Sequence, residues 1–526
     1  MLDAVIIGGG HNGLVCGFYL ARAGFKVRIH EARQIVGGAA VTEEFAPGFR
    51  NSTASYTVSL LQPKVIADMA LERRGYRVIE RPLANFLPLS QAEGDYLKVG
   101  GGLAATQAEL ARFSARDAAA LPAWYAMLER VADVLRALAL TIPPDAQGGL
   151  PGLLDAALQA RPLAKLPLAA KREVLAMLTR SARELLDDWF ESDPVKAAFG
   201  FDAVVGNYAS PDMPGSAYVL LHHVFGEVNG TKGAWGHVVG GMGRITGLMA
   251  EAAREAGAEI VVGTPVEQVI VREGKAAGVR LAGGEEVRAR RVIANCGPKL
   301  LFGRLIAREH LPADFALAMD RFKLGSGSLR MNVALAGLPS FASLPGDGEH
   351  LRAGIIMAPS LDYMDRAYRD ARAQGFSQRP VVEMLIPSLV DDSLAPPGRH
   401  VASLFCQHCD PDLPENREAE AVDAVLDTVE HFAPGFRDLI LHSQVHTPRG
   451  LEAKFALVRG DIFHGRMSLD QLWAARPVLG AGSYKTPIEG LWLCGAGTHP
   501  GGGVTGAPGH NCAHAILRGR SWWRRG

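Results

Sequence analysis

The order of apolar and polar positions along the chain predicts a mixed α/β protein. Residues 4–7 form a short apolar run, residues 14–21 carry apolar side chains at helical spacing, and residues 26–30 again predict a strand. A later region predicts a helix at 240–256 and a strand at 259–262. A strand meander is then predicted, with strands at 266–271, 278–281 and 291–294. The apolar run 491–494 predicts a returning strand, and a helix is expected from about residue 506, with Pro508 allowed in its first turn.

The regions between these segments predict a helical part and a second sheet. Residues 103–226 are largely helical in pattern, with apolar side chains at helical spacing over 121–140 and 171–190. These helices are expected to form the core of a capping domain, and an apolar channel for a substrate is the alternative. Strands near 327–336, 381–387 and 400–406 predict a sheet that forms the floor of a substrate site.

Three glycines follow the first predicted strand at the spacing G-x-G-x-x-G. Gly8 suits a tight turn, Gly10 lets the backbone approach a pyrophosphate, and Gly13 allows close packing of helix on strand. His11 and Asn12 belong to the same loop and are candidate ligand-binding residues with it. Unpaired N–H groups and the helix dipole favour a negatively charged ligand here, so the motif predicts a dinucleotide site.

An acidic residue and a second glycine-rich loop favour FAD over NAD. Glu31 ends the second predicted strand, at nearly the distance from the glycines that is expected for a carboxylate binding ribose hydroxyls. Ala32 and Arg33 follow it, and Arg33 either reaches a phosphate or is solvated. The next loop would let the backbone pass close to a longer, extended cofactor, and it comprises Gly37, Gly38, Ala39 and Ala40. NAD alone does not need this loop.

A two-nucleotide disulfide reductase is disfavoured by what the rest of the sequence lacks. The glycines at 240–243 have neither the correct spacing nor an acidic strand after them. The N-terminal region contains only Cys16, so it has no redox cysteine pair.

Composition and charge narrow the setting further. Lys and Arg together number 55, as do Asp and Glu, so the formal net charge is zero and no nucleic-acid partner is expected. Six cysteines do not make a disulfide framework, and no apolar run approaches the ~18 residues of a membrane span. A cytoplasmic protein without a signal peptide is therefore expected. The aromatic and basic tail at 521–525 suits a peripheral membrane contact, or equally a disordered end.

Several longer motifs resemble those of the phytoene desaturase-related FAD oxidoreductases. The N-terminal match comprises GGAAVTEE (37–44), PGF (47–49) and SY (55–56). The C-terminal match is more specific and comprises DIFHG (461–465), MSLDQL (467–472), RP (476–477), TPI (486–488) and LCGAGTHPGGG (493–503). Within that family the chain is most similar to the branch named for pyridine nucleotide-disulphide oxidoreductase domain-containing protein 2, and the resemblance covers essentially the whole chain.

The resemblance implies an α/β fold with a Rossmann-like FAD-binding domain built from separated segments and an inserted substrate domain of mixed sheet and helices. The expected FAD-binding segments are 1–75, 230–300 and 481–526, with a helical cap at 76–229 and a substrate domain at 301–480. It also implies that Gly495 is a cofactor-binding residue and that Thr505, Gly506 and Ala507 lie against the pyrimidine edge of the flavin. A helix N-terminus there would stabilise an anionic reduced flavin. The backbone of Val266 is expected to pair with the adenine.

The resemblance places the loop of His499 beside the isoalloxazine, and His499 is therefore the candidate catalytic residue. A histidine titrates near neutral pH and could move a proton, although Thr-His-Pro could instead only fix the loop. Tyr56 is a weaker candidate for the flavin face, and His222, His223 and Trp235 are more typical of structural residues. No metal site is predicted, since the C-x-x-C of Cys406 and Cys409 has no second pair to complete four ligands.

Taken with the resemblance, these features predict an FAD-dependent dehydrogenase or desaturase. It would transfer a hydride from a small apolar substrate, of isoprenoid or polyene type, to the flavin N5, and pass the electrons to oxygen, a quinone or another acceptor. Neither the acceptor nor the oligomeric state is predicted. A flavin-dependent isomerase or saturase stays open, as does a protein that keeps FAD for folding and acts by binding a partner.

Overall fold

The computed structural model describes residues 1–523, with side chains to residue 519. The tail at 521–525, on which the predicted membrane contact was based, lies outside the described side chains. Within the described part of the chain, no helix is both long enough and apolar enough to cross a membrane.

A five-stranded parallel sheet takes its strands from three distant parts of the chain. Across the sheet the order is Glu259–Val261, Val27–His30, Ala4–Ile7, Val292–Ala294 and Leu491–Leu493. In the central strand Ala4 and Ile6 pack into one core cluster, and Val5 and Ile7 into another on the opposite face. Burial on both faces explains why this strand has a continuous apolar sequence. The predicted Rossmann-like domain built from separated segments is thus confirmed.

Helices cover one face of this sheet and a small antiparallel sheet covers the other. The helix His11–Arg22 packs between Met242–Glu255 and Ala507–Trp523. The antiparallel sheet consists of Val266–Arg272, Lys275–Leu281 and Glu286–Arg288. The strand predicted at 291–294 does not extend this meander. It joins the parallel sheet as Val292–Ala294, whose three residues are all buried.

A seven-stranded mixed sheet forms the centre of the second domain. Across the sheet the order is Ile440–His446, Ser328–Leu335, His400–Cys409, Phe376–Leu385, Gly354–Met357, Leu83–Pro88 and Tyr96–Gly100. Three of these strands are the ones that the sequence predicts near 327–336, 381–387 and 400–406. The helices Leu361–Gln374 and Glu418–Phe432 pack against it.

The predicted helical region is a group of short helices around one long one. They are Leu103–Leu110, Ala115–Ala139, Gly149–Gln159, Arg161–Lys165, Leu168–Thr179, Ala182–Trp189, Asp193–Gly200 and Ser216–Val224. The single helix predicted at 171–190 is two helices. Ser181 starts the second with a capping box, in which its hydroxyl accepts from the Glu184 N–H and the Glu184 carboxylate accepts from the Ser181 N–H.

The remaining elements are short and connect these layers. The further helices are Pro63–Asp68, Pro298–Leu300, Ala313–Arg321 and Pro448–Phe455. The two-stranded pairs are Thr42–Ala46 with Phe49–Ser52, Val78–Glu80 with Gly236–Val238, and Glu227–Val228 with Thr231–Lys232.

Candidate functional site

The glycine loop joins the buried central strand to the helix His11–Arg22. Gly8 has a φ of +95°, which favours glycine. A Cβ at Gly13 would lie 2.3 Å from the carbonyl oxygen of Gly8, so only glycine lets the helix approach the loop this closely. The loop therefore presents the helix N-terminus, where the helix dipole favours an anionic group.

Glu31 closes this loop from the neighbouring strand. Its Oε2 accepts a hydrogen bond from the Gly9 N–H at 2.7 Å, and its Oε1 accepts one from the Arg33 N–H at 2.9 Å. The Thr264 N–H donates to the Glu31 backbone carbonyl at 2.9 Å, and Glu31 and Val266 line the same cavity. The acid predicted to bind a ribose thus contacts the glycine loop directly.

A cavity of about 560 Å³ runs along the loop and brings most of the predicted cofactor-binding residues together. Those that line it are Gly8, Gly10, His11, Asn12, Glu31, Ala32, Arg33, Gly37, Gly38, Ala39, Ala40 and Val266.

Two orphaned polar atoms test whether this cavity fits a dinucleotide. His11 Nε2 and Asn12 Oδ1 are buried and have no hydrogen-bond partner among the described residues. Burial lowers the pKa of His11 to about 4, so its ring is neutral. Native proteins rarely leave buried polar atoms unsatisfied. Their position on the first turn of the glycine-loop helix fits a ligand with hydroxyl donors at this spot, as the ribityl part of FAD would be.

The predicted residues of the C-terminal loop lie behind the cavity wall. Gly495, Thr505, Gly506 and Ala507 do not line the cavity, and Ala496, Gly503 and Val504 do. A Cβ at Gly495 would lie 2.5 Å from the carbonyl oxygen of Asn295, so this glycine serves close packing. The Thr505 hydroxyl accepts from the Ala507 N–H at 3.1 Å and so stabilises the start of the last helix.

His499 also lies away from the cavity. Its ring Nε2 is 2.9 Å from the carbonyl oxygen of Leu138, near the end of the long helix, and its own carbonyl accepts from the Tyr484 hydroxyl at 2.7 Å. Burial lowers the pKa of His499 to about 4. These contacts favour a bracing role for His499 over the predicted proton transfer.

Aromatic side chains line the other end of the cavity. Tyr56, Trp235 and Phe463 contribute to its wall together with His223, whose ring stacks on Trp235 at a centroid distance of 6.1 Å. The Arg330 guanidinium lies 4.3 Å from the centroid of the Tyr56 ring. Flat aromatic and guanidinium surfaces suit the planar ring of a flavin.

A second cavity of about 440 Å³ adjoins the first. Both are lined by Tyr56, Thr57, Val205, His223 and Trp235, so these residues stand between the two spaces. The second cavity lies between the helical region and the seven-stranded sheet.

Five charged side chains line this second cavity: Glu129 and Lys232 pair with each other, and the other three are Arg81, Glu383 and Asp202. Glu383 accepts a hydrogen bond from the Tyr56 hydroxyl and lies 3.8 Å from Arg81, which in turn donates to the Thr57 hydroxyl at 2.7 Å. Asp202 is the third. Burial and repulsion from Glu383 raise the pKa of Asp202 to about 7.

Sequence reasoning missed Arg81, Asp202 and Glu383 because no motif joins them. Glu383 did leave a signal, since it interrupts the otherwise apolar run 381–386, all of which is buried. A charged residue inside such a run is rare unless it is paired. Arg81 and Asp202 lie in segments without such a pattern.

Cys406 and Cys409 pack into the core of the seven-stranded sheet. Burial raises the pKa of the Cys409 thiol to about 12, so the pair is held as neutral thiols. Among the described residues, no group of three or more His, Cys, Asp or Glu side chains is placed to hold a metal ion.

Comparison with known proteins gives a family and several relatives. Residues 13–516 match the family of flavin containing amine oxidoreductases. The pyridine nucleotide-disulfide oxidoreductase domain-containing protein 2 of Mus musculus is 41% identical, over 98% of this chain and 93% of the relative. An all-trans-zeta-carotene desaturase of Myxococcus xanthus is 27% identical, over 95% and 90%. The crystal structure of an oxidoreductase from Methanosarcina mazei has the same fold, with a TM-score of 0.60 at 16% identity over 98% and 99% of the two chains.

Proposed function

The chain belongs to the family of flavin containing amine oxidoreductases and is an FAD-dependent oxidoreductase, and from this premise we propose that it is a dehydrogenase or desaturase. Its substrate has an apolar body, of isoprenoid or polyene type, and gives a hydride to the flavin. The electrons leave to oxygen, a quinone or a similar acceptor. The desaturase relative, whose name is that of a carotene desaturase, supports this choice within the family.

One observation carries the proposal: the cofactor cavity and a second cavity share a largely aromatic wall. Val205 and Trp235 belong to that wall, and Leu128 and Phe199 line the space beyond it. Such a chamber can hold an apolar molecule against the flavin and keep water away from it.

The chain's own residues bind and orient the cofactor. The helix N-terminus at His11 and Asn12 holds the anionic pyrophosphate, and the Glu31 carboxylate holds the ribose. Val266 supplies backbone for the adenine. When bound, FAD accepts a hydride at its N5 atom, which is chemistry that no side chain can supply.

Anaerobic reduction of the flavin tests the proposal. Purified holoprotein is mixed with members of lipid, isoprenoid and amine panels, and the flavin absorbance is followed together with product formation. A dehydrogenase substrate bleaches the flavin and is converted. Conversion without net bleaching would show an isomerase or saturase instead, and neither change with any panel would favour a binding protein.

The proposal includes a cytoplasmic enzyme in peripheral contact with an anionic membrane surface. The helix Gly149–Gln159 has no buried residue, and its leucines are 50–77% exposed at Leu150, Leu153, Leu154 and Leu158. Exposed cations follow directly in the next two helices, at Arg161, Lys165, Lys171 and Arg172. Exposed apolar side chains beside basic ones are typical of helices that lie on anionic lipid.

A further inference from the structure

The second cavity contains polar groups that a hydrocarbon would leave unpaired. Arg81, Asn85 and Asp202 all line it. Among the described residues, neither the Asn85 amide nor the Asp202 carboxyl makes a side-chain hydrogen bond, and only one guanidinium N–H of Arg81 donates, to Thr57. Leaving such groups desolvated beside a pure hydrocarbon is unfavourable.

Arg81 has donors to spare inside the protein. Its side chain is 10% exposed, and its nearest carboxylate, Glu383, is 3.8 Å away, beyond hydrogen-bond distance. Glu383 is already engaged by the Tyr56 hydroxyl. The remaining N–H groups of Arg81 are therefore free for an oxygen acceptor on a ligand, and Asn85 offers an amide donor in the same cavity.

Asp202 is the free carboxyl of the cavity. It lies on the short turn Phe201–Ala203, between the helices Asp193–Gly200 and Ser216–Val224. The charged groups that act on it are Glu383 and Arg81. Because the raised pKa of Asp202 is near neutrality, this carboxyl can both accept and release a proton under ordinary conditions.

Apart from the ion pair of Glu129 and Lys232, most of the remaining wall is apolar. Val99, Leu128, Ala198 and Phe199 contribute to its wall. The chamber thus combines an apolar wall with a few convergent polar groups, the pattern of a site for an amphipathic small molecule.

We propose that this second cavity binds a substrate with an apolar chain and a carbonyl or carboxyl head, that Arg81 binds the head oxygen, and that Asp202 accepts a proton from the carbon next to it. This inference rests on the proposed dehydrogenase function and names its substrate class and its base. An arginine at the head oxygen stabilises the negative charge that develops there as the adjacent carbon loses its proton.

The step balances as an oxidation of the substrate between two neighbouring carbons. The carbon next to the head loses a proton to the Asp202 carboxylate, and the following carbon loses a hydride to the flavin. A carbon–carbon double bond forms, so the substrate loses two electrons and the flavin gains them. Glu383 is not the base, because it is already held by Tyr56.

Binding to the oxidised holoprotein is the first test, and it does not depend on turnover. The probes share an apolar chain and differ in the head: decanoate, the thioester of decanoate with N-acetylcysteamine, and decane. Changes in the flavin absorption spectrum report binding. We expect the two oxygenated probes to bind and decane not to. Arg81→Gln should weaken their binding about ten- to a hundred-fold, as expected for loss of a hydrogen bond from a charged group.

Proton exchange is the second test. In deuterated buffer the wild-type holoprotein should exchange the hydrogens next to the thioester carbonyl for deuterium. Asp202→Asn should keep thioester binding and slow this exchange by about a hundred-fold or more. Matched controls on the protein surface are Arg254→Gln and Asp314→Asn, which should change neither reading.

Several outcomes would overturn the inference. The inference fails if decane binds with the same affinity as the thioester, or if neither oxygenated probe binds at millimolar concentration. It also fails if Arg81→Gln binds the oxygenated probes as tightly as the wild type, or if Asp202→Asn exchanges the thioester hydrogens as fast. If Arg81→Gln does not fold, Arg81→Lys keeps the charge without the planar fork and should still weaken binding. Head-dependent binding and exchange without flavin bleaching would refute the dehydrogenase and leave this site assigned. If a hydrocarbon bleaches the flavin, and Arg81→Gln bleaches as fast as the wild type, the dehydrogenase would stand and this site assignment would fall.

Discussion

The Tyr56 hydroxyl donates a hydrogen bond to the carboxylate of Glu383, 327 positions further along the chain. Tyr56 forms part of the wall of the cofactor cavity, and Glu383 stands on a central strand of the second sheet. This contact therefore links the two domains at the point where the two cavities meet.

Tyr56→Phe should weaken this link without disturbing the ring. Phenylalanine keeps the stack with Arg330 and loses the bond to a buried carboxylate, which is worth about 1.5–3 kcal/mol. We expect a lower free energy of unfolding by about that amount, measured by denaturant unfolding of the holoprotein, with flavin content retained. Tyr363→Phe is the matched control, since its hydroxyl donates to the neutral carbonyl of Pro380 at 3.0 Å and should cost about 1 kcal/mol. An equal loss in both variants would contradict this.

Gly10→Val should produce folded protein without colour. The φ of Gly10 is −68°, which valine accepts, but a Cβ there lies 2.7 Å from the Asn295 amide nitrogen, on the wall where the pyrophosphate is expected. The flavin-to-protein ratio after purification is the measurement. Gly247→Val is the control, because a Cβ at Gly247 meets nothing within 4 Å. Stoichiometric flavin in Gly10→Val would show that the cofactor lies elsewhere.

Asp202→Asn should change how stability depends on pH. The pKa of Asp202 is raised from 3.8 to about 7, so between these values the folded state keeps a proton that the unfolded chain has lost. The stability of the wild type therefore falls as pH rises through this window, and asparagine removes that fall. In thermal melts the variant should match the wild type near about pH 4 and exceed it near about pH 8. A variant less stable at the higher pH, or the same trend in exposed Asp314→Asn, would argue against it.

Two variants of His499 separate bracing from catalysis. Glutamine can still donate to the Leu138 carbonyl, whereas alanine cannot, so His499→Ala should lower the unfolding temperature and His499→Gln should lower it less. Neither should change the rate or the pH profile of flavin reduction by much. Removal of a general base slows a reaction by about 10²–10⁴-fold. A decrease of that size in the rate of flavin reduction in both variants would instead show that His499 is catalytic.

Replacing the four exposed leucines of helix Gly149–Gln159 with serine should abolish membrane contact and leave stability unchanged. These side chains are at least half exposed, so their loss creates no cavity. Co-sedimentation with vesicles that contain anionic lipid is the measurement. The wild type should sediment less at high salt, and vesicles of neutral lipid should bind it weakly. Equal sedimentation of the variant would place the contact elsewhere.

The residues whose relative placement follows from the sequence are those whose contacts are set locally. Gly8, Gly13 and Glu31 lie in one strand–helix–strand unit, and their spacing alone fixes how they meet. The C-terminal loop was predicted in the correct region, but Gly503 and Val504 form the wall where Thr505, Gly506 and Ala507 were expected, because loop geometry decides which residue faces inward. Single-residue assignments in a loop are not set by spacing.

The substrate side could not be predicted in the same way. Arg81, Asp202 and Glu383 come from a loop, a turn and a strand that only the tertiary fold brings together. The helix predicted at 171–190 was wrong for a different reason, because the local capping box of Ser181 and Glu184 outweighs a continuous apolar pattern. Local chemistry ended that helix, and long-range packing created the second cavity.

The parallel sheet takes its last strand, Leu491–Leu493, from late in the chain, and this order has a consequence for biosynthesis. The glycine loop leaves the ribosome first, yet the wall that Ala496, Gly503 and Val504 complete is made hundreds of residues later. The nascent protein must therefore keep an open, apolar half-site while the intervening domain is translated, and FAD can be enclosed only near the end of synthesis. We therefore expect the yield of active protein in a cell to depend on the supply of flavin at the end of synthesis. It should also depend on chaperones that shield the half-site until then.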